Sequence, residues 1–178
     1  MLKLQGKTIY LRPLELIDAD GNYPNWFNDP VVCKYNSHGD VLYTKEMAIE
    51  YINAVNAIET TKVFSICDVF SNTHIGNISL QSISTKNKSA EFAIIIGEKN
   101  FFGKGIGYEA GELILEYGFK KLNLHRIYCG TSQYNIPMQK LSLSLGMKAE
   151  GISVDAMIKN NLFIDMYRYA IINGKNSV

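Results

Sequence analysis

The sequence of 178 residues lacks the features that mark several large classes of protein. It has only three cysteines, without a CxxC or CxxH pair, so neither a disulfide framework nor a common zinc site is expected. We expect Cys33, Cys67 and Cys129 to be small buried apolar residues. No run of about 18 apolar residues occurs, so we expect no membrane-spanning helix. Residues 1–10 contain no long apolar stretch, so we expect no signal peptide and a cytoplasmic location.

An excess of one charge sign is also missing. Lys and Arg number 18, Asp and Glu number 17, and the formal net charge is +1. This balance gives no electrostatic reason to expect a nucleic acid or an anionic membrane as partner. Hydrophobic residues make up 47% of the chain, which is enough to form a sizeable buried core. Because no linker, repeat or low-complexity tract interrupts the sequence, we expect residues 1–178 to form a single domain.

The hydrophobic pattern predicts a mixed α/β fold. Thr44 is a plausible N-cap for an amphipathic helix. The strand 90–96, the helix 107–121 and the strand 124–131 form a β-α-β unit, whose two strands should run parallel. The predicted strands cover residues 8–12, 62–69, 74–83, 90–96, 124–131, 147–153 and 162–172, and the predicted helices cover 14–28, 44–58, 107–121 and 135–145.

The most informative segment joins the strand 90–96 to the helix that follows it. Gly103, Gly105 and Gly107 stand at alternate positions there. Glycine permits positive φ and close approach of the backbone to a ligand, and a helix N-terminus directs several N–H groups at one point. The loop therefore predicts a phosphate site, to which Lys104 adds a positive charge. A purely structural glycine turn is the alternative.

Two other phosphate-binding motifs fit this loop less well. The P-loop string GxxxxGK[ST] does not occur in the sequence. The dinucleotide-binding pattern GxGxx[GA] matches residues 105–110, but that fold needs an acidic residue about 20 positions later. Residues 125–131 contain neither Asp nor Glu, so we discount an NAD site.

The loop instead resembles the acyl-CoA pyrophosphate loop of GNAT-superfamily acetyltransferases, whose pattern is [QR]xxGxG[AG]. Phe102 stands at the Gln/Arg position, as an aromatic residue often does in the RimJ/RimL-like branch. The resemblance runs in order along almost the whole chain. It is carried by LRPL at 11–14, WFNDPVV at 26–32, IG at 75–76, AEFAI at 90–94, YGF at 117–119, LNLHR at 122–126, Asn135, LGM at 145–147 and Asp165.

The resemblance implies a GNAT fold, with a mostly antiparallel central sheet, one parallel splayed strand pair and helices on both faces. It implies an acyltransferase that moves an acetyl group from acetyl-CoA to a primary amine, without a metal. The pantetheine arm would pair with the strand before the loop, and the pyrophosphate would lie on the loop amides. The implied coenzyme residues are Ile95, Ile96, Gly97, Phe102, Gly103, Lys104, Gly105, Ile106, Gly107, Tyr108 and Asn135, the last of which can also be a plain N-cap.

The catalytic side chains are less specified by the sequence. Glu91 is the single carboxylate in an otherwise apolar strand and is the candidate base; a carboxylate facing water or paired with Lys88 is the alternative. Many GNAT members have a tyrosine four residues before the glycine that ends the helix 135–145. This sequence has Ser142 there, which is either the proton donor or a plain helix residue. Tyr134 and Tyr167 are the other hydroxyls considered.

The acceptor side is predicted from the resemblance alone. Its walls would be the segment 26–32, the loop 37–43 and the hairpin 153–163, with Trp26 and Asn28 as candidate substrate-binding residues; core packing is the alternative for Trp26. The acceptor would be a protein N-terminus, a small amine, or a nucleotide-linked amino sugar of surface-polysaccharide biosynthesis. A non-catalytic acyl-CoA-binding module is the alternative of a different class. The sequence leaves a homodimer open.

Overall fold

Eight strands form one sheet in the computed structural model, which describes residues 2–174. The strands are β1 Leu4–Gln5, β2 Ile9–Pro13, β3 Lys62–Asp68, β4 His74–Ser84, β5 Ser89–Ile96, β6 Arg126–Ser132, β7 Lys148–Lys159 and β8 Leu162–Ile172. The helices are α1 Tyr23–Trp26, α2 Lys45–Ala57, α3 Ile106–Lys120 and α4 Ile136–Ser144, with 3-10 turns at Leu16–Asp20 and Lys99–Phe101.

The strand order in the sheet is β1-β2-β3-β4-β5-β6-β8-β7. Neighbouring strands run antiparallel except β5 and β6, which run parallel because α3 connects them. This confirms the predicted β-α-β unit and the mostly antiparallel sheet with one parallel pair.

The parallel pair opens into a split. β5 and β6 are in register only from Ser89 opposite Arg126 to Glu91 opposite Tyr128, and beyond that point they diverge. The two edges of β5 can be told apart, because the Gly97 N–H donates to Ile75 O on β4 at 2.9 Å. Backbone groups alternate between the two edges of a strand, so the main-chain groups of residues 92, 94 and 96 face the split.

Each face of the sheet is covered by a core. On one face α3 and α4 pack over residues such as Ile78 and Phe92, and Ile114 of α3 is fully buried there. On the other face α1 and α2 cover a smaller core that contains Trp26 and Ile52. Helices on both faces were predicted, and the structure confirms them.

Local sequence accounts for most of the helix boundaries. The Thr44 side chain accepts a hydrogen bond from Met47 N at 3.3 Å, which confirms it as the N-cap of α2. Gly146 follows α4 with φ of 81°, the left-handed conformation that ends a helix. Pro24 lies in the first turn of α1, where no backbone N–H is needed.

Three features differ from the sequence prediction. The short strand β1 was missed, and β7 continues six residues beyond the predicted end, to Lys159, with two register shifts against β8. The predicted helix 14–28 is divided into the 3-10 turn Leu16–Asp20 and the short helix α1. The three cysteines are free and buried, as expected. Within residues 2–174, no helix is long and apolar enough to cross a membrane.

Candidate active site

The glycine loop adopts a conformation that only its sequence allows. Gly103 and Gly105 have φ of 72° and 78°, in the left-handed region that side chains with a Cβ rarely occupy. Gly105 is the N-cap residue of α3 and has no side chain to cap it. The N-terminus of α3 is therefore left open at this point.

The loop exposes a row of unpaired amides. The Phe102 N–H donates to Lys99 O at 3.1 Å, and the Tyr108 N–H donates to Gly105 O at 3.0 Å. Between them, the N–H groups of residues 103–107 donate to no acceptor in the described part of the chain. Five consecutive free amides at a helix N-terminus are suited to an anion, and they lie within the range 102–108 that the sequence predicts for the pyrophosphate.

The space in front of these amides suits a phosphate group. A Cβ placed on Gly103 or Gly105 would meet no atom within 4 Å. Lys104 is exposed, with its Nζ 5.4 Å from the centre of the Phe101 ring. The Glu109 carboxylate in the first turn of α3 stays charged but is held by Thr8, whose backbone N–H and hydroxyl donate to it. Open space, free amides and a cation therefore fit the pyrophosphate of acetyl-CoA.

Asn135 begins α4 beside this loop. Its Oδ1 accepts the N–H of Met138 at 3.2 Å, so it is an N-cap. Its Nδ2 donates to no acceptor among residues 2–174, and no buried side-chain nitrogen or oxygen there lacks a partner. The amide N–H₂ group is therefore exposed and able to bind a ligand while Oδ1 caps the helix.

The three strand residues predicted to meet the pantetheine arm do not all face the split. A Cβ on Gly76 would overlap the Ile95 carbonyl oxygen, so this carbonyl points to β4, as the Gly97 N–H does. Only Ile96 of the three turns its main chain toward the split, together with Ile94 two residues before it.

Trp26 lies in the core rather than on a wall of the site. It is 2% exposed, and a Cβ on Gly97 would overlap its indole ring. The indole N–H donates to Glu98 Oε1 at 2.9 Å. This geometry favours the core-packing alternative for Trp26, which packs against the end of β5.

Asn28 also has a supporting position. Its Nδ2 donates to Tyr43 O at 2.8 Å, and its Oδ1 accepts the Tyr43 N–H at 2.8 Å. Both ends of the side chain are thus occupied by the main chain of Tyr43. Asn28 fixes a residue that borders the cleft and has no free group for a substrate.

A cleft of about 380 Å³ opens on the face covered by α1 and α2, next to β5. Its walls are mostly aromatic, and its floor is formed by polar residues at alternate positions of β4. The lining residues are Tyr23, Phe27, Asn36, His38, Tyr43, Tyr51, Val63, Asn77, Ser79, Gln81, Ala93, Ile94 and Ile95. The predicted loop 37–43 thus contributes, whereas the hairpin 153–163 does not reach the lining.

The cleft is electrically neutral. Its lining contains no Asp, Glu, Lys or Arg. Burial raises the pKa of Tyr43 and of Tyr51, so both phenols stay protonated at neutral pH. Desolvation lowers the pKa of His38, whose ring packs at 4.6 Å from Phe27, and nearby Lys159 lowers it further. His38 is therefore an uncharged imidazole that can accept a proton.

A buried charge network lies beneath the cleft, and the sequence did not indicate it. Asp18 is 4% exposed and accepts hydrogen bonds from Arg12 at 2.5 and 2.8 Å and from Ser65 Oγ at 2.8 Å. Burial alone would raise the pKa of Asp18, but the bonds from Arg12 and His74 outweigh it and hold the pKa well below its usual range. Asp18 is therefore ionised in the fold.

A family model described as an acetyltransferase (GNAT) domain matches residues 8–148. The chain belongs to the GNAT family of acetyltransferases. The uncharacterized N-acetyltransferase p20 of Bacillus licheniformis is 33% identical over 175 residues, which cover 97% of each chain. The family, the fold and the assignment as an acyltransferase are thereby confirmed, while the RimJ/RimL-like branch stays a prediction.

Solved structures agree with this membership. Spermidine N-acetyltransferase from Vibrio cholerae, crystallised with CoA and spermine, superposes with a TM-score of 0.85 at 27% identity, over 94% of this chain and 97% of that one. The ribosomal-protein acetyltransferase RimL, solved with coenzyme A, gives a TM-score of 0.88 at 16% identity, over 96% and 98% of the two chains. The second likeness shows a shared fold only.

In this GNAT domain Glu91 lies at the closed end of the split. On β6 its partner is Tyr128, in the last residue pair before the two strands diverge. On β4 its partner is Gln81, a residue of the cleft floor. Alternation along β5 places its side chain on the same face as Ile95, a cleft residue. It is half-buried and forms no hydrogen bond or ion pair within residues 2–174, so it is not paired with Lys88.

Ser142 does not reach the split. It is fully buried, its Oγ donates to Met138 O at 2.9 Å within α4, and Cys129 Sγ lies 3.4 Å away. A hydroxyl committed to its own helix is poorly placed to protonate a leaving thiolate, so this geometry favours the plain-helix alternative. Tyr167 packs against the core, whereas Tyr134 is 59% exposed at the start of α4.

Proposed function

We propose that this GNAT-family protein transfers the acetyl group of acetyl-CoA to a primary amine. The observation that carries the proposal is the row of free amides at residues 103–107, which adjoins the split between β5 and β6. The split in turn borders the neutral cleft, because residues 93–95 of β5 line it. A phosphate site, a channel for an extended arm and a pocket for an acceptor would then follow one another along β5 and the loop after it.

The coenzyme would be held mainly by backbone. The amides of residues 103–107 and the Lys104 ammonium would bind the pyrophosphate, and Asn135 Nδ2 is free to donate nearby. The main chain of Ile94 and Ile96 would pair with the pantetheine arm in the split. Bound acetyl-CoA supplies an activated thioester, so the protein has to position an amine against it rather than activate the acetyl group.

The amine must lose a proton before it can attack. A peptide α-amine has a pKa of about 8 and an alkyl amine one of about 10, so most of either is protonated at neutral pH. We assign Glu91 as the base, because it is an unpaired carboxylate where the split closes and faces the cleft side of the sheet. Of the hydroxyls considered for protonating the leaving thiolate, Tyr134 is 59% exposed, whereas Ser142 is fully buried.

The cleft favours an acceptor with a single amine and an uncharged body. Spermidine carries several positive charges, and a pocket that binds it well is expected to supply carboxylates, which this lining lacks. A peptide N-terminus or the sugar of a nucleotide-linked amino sugar presents one amine with neutral polar groups around it. We therefore place these two classes ahead of polyamines as acceptors.

A thiol-release assay with acetyl-CoA tests the proposal. The amine panel contains spermidine, tripeptides with free N-termini, and UDP- and dTDP-linked amino sugars. We expect acetyl-dependent thiol release with at least one peptide or amino sugar, faster than with spermidine. CoA binding by calorimetry without turnover of any amine would instead support the non-catalytic acyl-CoA-binding module.

A further inference from the structure

The buried network under the cleft ends on a residue of the cleft floor. His74 Nδ1 lies 3.2 Å from Asp18 Oδ1, and His74 Nε2 lies 3.0 Å from Gly76 O and 2.7 Å from Asn77 Oδ1. The imidazole also packs against the ring of Trp26, with 4.8 Å between the ring centroids. Contacts on both nitrogens and one ring face leave His74 a single orientation.

This orientation fixes the amide of Asn77. Both the ionised Asp18 and Gly76 O can only accept, so each ring nitrogen of His74 donates: Nδ1 to Asp18, and Nε2 to Gly76 O and Asn77 Oδ1. With Oδ1 turned to His74, the Nδ2 group of Asn77 points the other way. Asn77 is 7% exposed and lines the cleft.

The Nδ2 group is open to the cleft. It donates to no acceptor among residues 2–174, yet no buried side-chain nitrogen or oxygen in that part of the chain is without a partner. Since Nδ2 has no partner and no buried nitrogen lacks one, Nδ2 must be accessible to solvent. The accessible surface beside Asn77 is the cleft. The amide therefore presents its two N–H donors to whatever occupies the cleft.

A second donor follows two residues later. Gln81 Nε2 donates to Ser79 Oγ at 2.8 Å, so the Ser79 hydroxyl already accepts one hydrogen bond. Its own proton bonds to no acceptor in the described chain and is free to donate into the cleft that Ser79 lines. Residues two apart on a strand are about 7 Å apart, so Asn77 and Ser79 form a short row of donors.

We propose that Asn77 binds an oxygen atom of the acceptor, and that His74, held by Asp18, is the positioning residue for its amide. The preferred acceptor is then an amine whose body carries carbonyl or hydroxyl oxygen close to the reacting nitrogen. Spermidine has no oxygen and gains nothing from this row of donors. The inference rests on the proposed function and adds the group that recognises the acceptor.

The test measures KM and kcat of Asn77→Ala with the best oxygen-bearing amine of the panel and with spermidine. Because the lost bond holds the acceptor before and during reaction alike, KM for the oxygen-bearing amine should rise about tenfold with kcat little changed. KM for spermidine should stay within about twofold. Asn77→Asp keeps the bond from His74 and removes the donors, so it should raise the same KM without loss of thermal stability.

His74 is tested through a double-mutant cycle. His74→Ala should raise KM for the oxygen-bearing amine in the wild-type background and add nothing in the Asn77→Ala background. Ser65→Ala is the matched control: it removes one bond to Asp18 but leaves the contacts of His74, and should lower stability without changing KM.

Three results would overturn the inference. They are an unchanged or lower KM in both Asn77 variants, equal losses for spermidine and the oxygen-bearing amine, and additive effects of His74→Ala and Asn77→Ala. A failure of wild-type protein to acetylate any amine would overturn the proposed function and this inference together, so the two failures are distinguishable.

Discussion

The two halves of the site are built from different parts of the polypeptide. The coenzyme half is a run of consecutive residues, 103–107, that offers main-chain N–H groups. The acceptor half is a set of side chains from α1, the loop before α2, β4 and β5, which lie far apart in sequence. The first half is exposed and polar through its backbone, whereas the second is half-buried, aromatic and neutral.

This difference separates what is fixed in the site from what can vary. A backbone anion site depends on where glycines permit positive φ, and any other residue there adds strain or a side chain. A cleft lined by side chains changes its ligand with each substitution while the sheet stays the same. Substitutions in the coenzyme half and in the acceptor half should therefore impair the protein in different ways.

The largest effect is expected from Gly105→Asp. A carboxylate at this position would project among the free amides and repel the pyrophosphate, so CoA affinity should fall by about a thousandfold or more. Gly105→Asn is the matched control, since it has the same shape, tolerates positive φ and carries no charge. Calorimetric titration with CoA measures both variants, and normal binding by Gly105→Asp would remove the loop from the coenzyme site.

The next largest effect is on folding of the acceptor half. Asp18→Asn leaves Arg12 and His74 without their buried carboxylate, which should cost about 3 kcal/mol in the free energy of unfolding at pH 7. Because the pKa of Asp18 is lowered in the fold, its contribution is complete above the unfolded value of about 4 and declines as pH falls below it.

Urea unfolding between pH 7 and pH 3 measures this dependence. The difference in free energy of unfolding between wild type and Asp18→Asn should become smaller as the pH falls. CoA affinity should be the same in both proteins while they are folded. A gap that is constant with pH would show that Asp18 does not act through its charge.

Glu91→Gln should slow turnover without changing CoA affinity. Without a carboxylate to take the proton, kcat for a peptide N-terminus should fall about a hundredfold at pH 6.5, and the loss should shrink as the pH approaches the α-amine pKa of about 8. Glu116→Gln, at an exposed carboxylate of α3 bonded to Lys120, is the control. Parallel pH–rate profiles for wild type and Glu91→Gln would point instead to His38, the cleft residue that is able to accept a proton.

The conformation of the glycine loop could be predicted because it is local. Glycine spacing, the preceding strand and the following helix are all consecutive, so the positive φ angles of the loop and the capping role of Asn135 follow from neighbouring residues, while coenzyme binding by residues 102–108 stays a prediction. The strand order and the parallel pair also followed from the β-α-β pattern. These features depend on neighbours in sequence and not on distant packing.

The acceptor half could not be predicted in the same way. Polar residues at alternate positions of β4, such as Asn77 and Ser79, ordinarily mark the solvent face of a strand. Here α1 and α2 cover that face, and this packing cannot be predicted from the residues of β4 alone. Trp26 and Asn28 were assigned to substrate for the same reason, since only tertiary structure shows that their partners are Gly97 and Tyr43.

The smallest effect, and the sharpest test of a backbone-made coenzyme half, is expected from Lys104→Ala. An exposed ammonium adds little to a phosphate already held by five amides, so CoA affinity should fall only about threefold, and less at high salt. Lys99→Ala is the matched control, because the Lys99 ammonium is already paired with Asp29 at 2.6 Å and should leave CoA affinity unchanged. Titrations of both variants with CoA at low and high salt distinguish the effect of Lys104 from that of Lys99. A loss with Lys104→Ala as large as that with Gly105→Asp would mean that a side chain, and not the backbone, holds the phosphate.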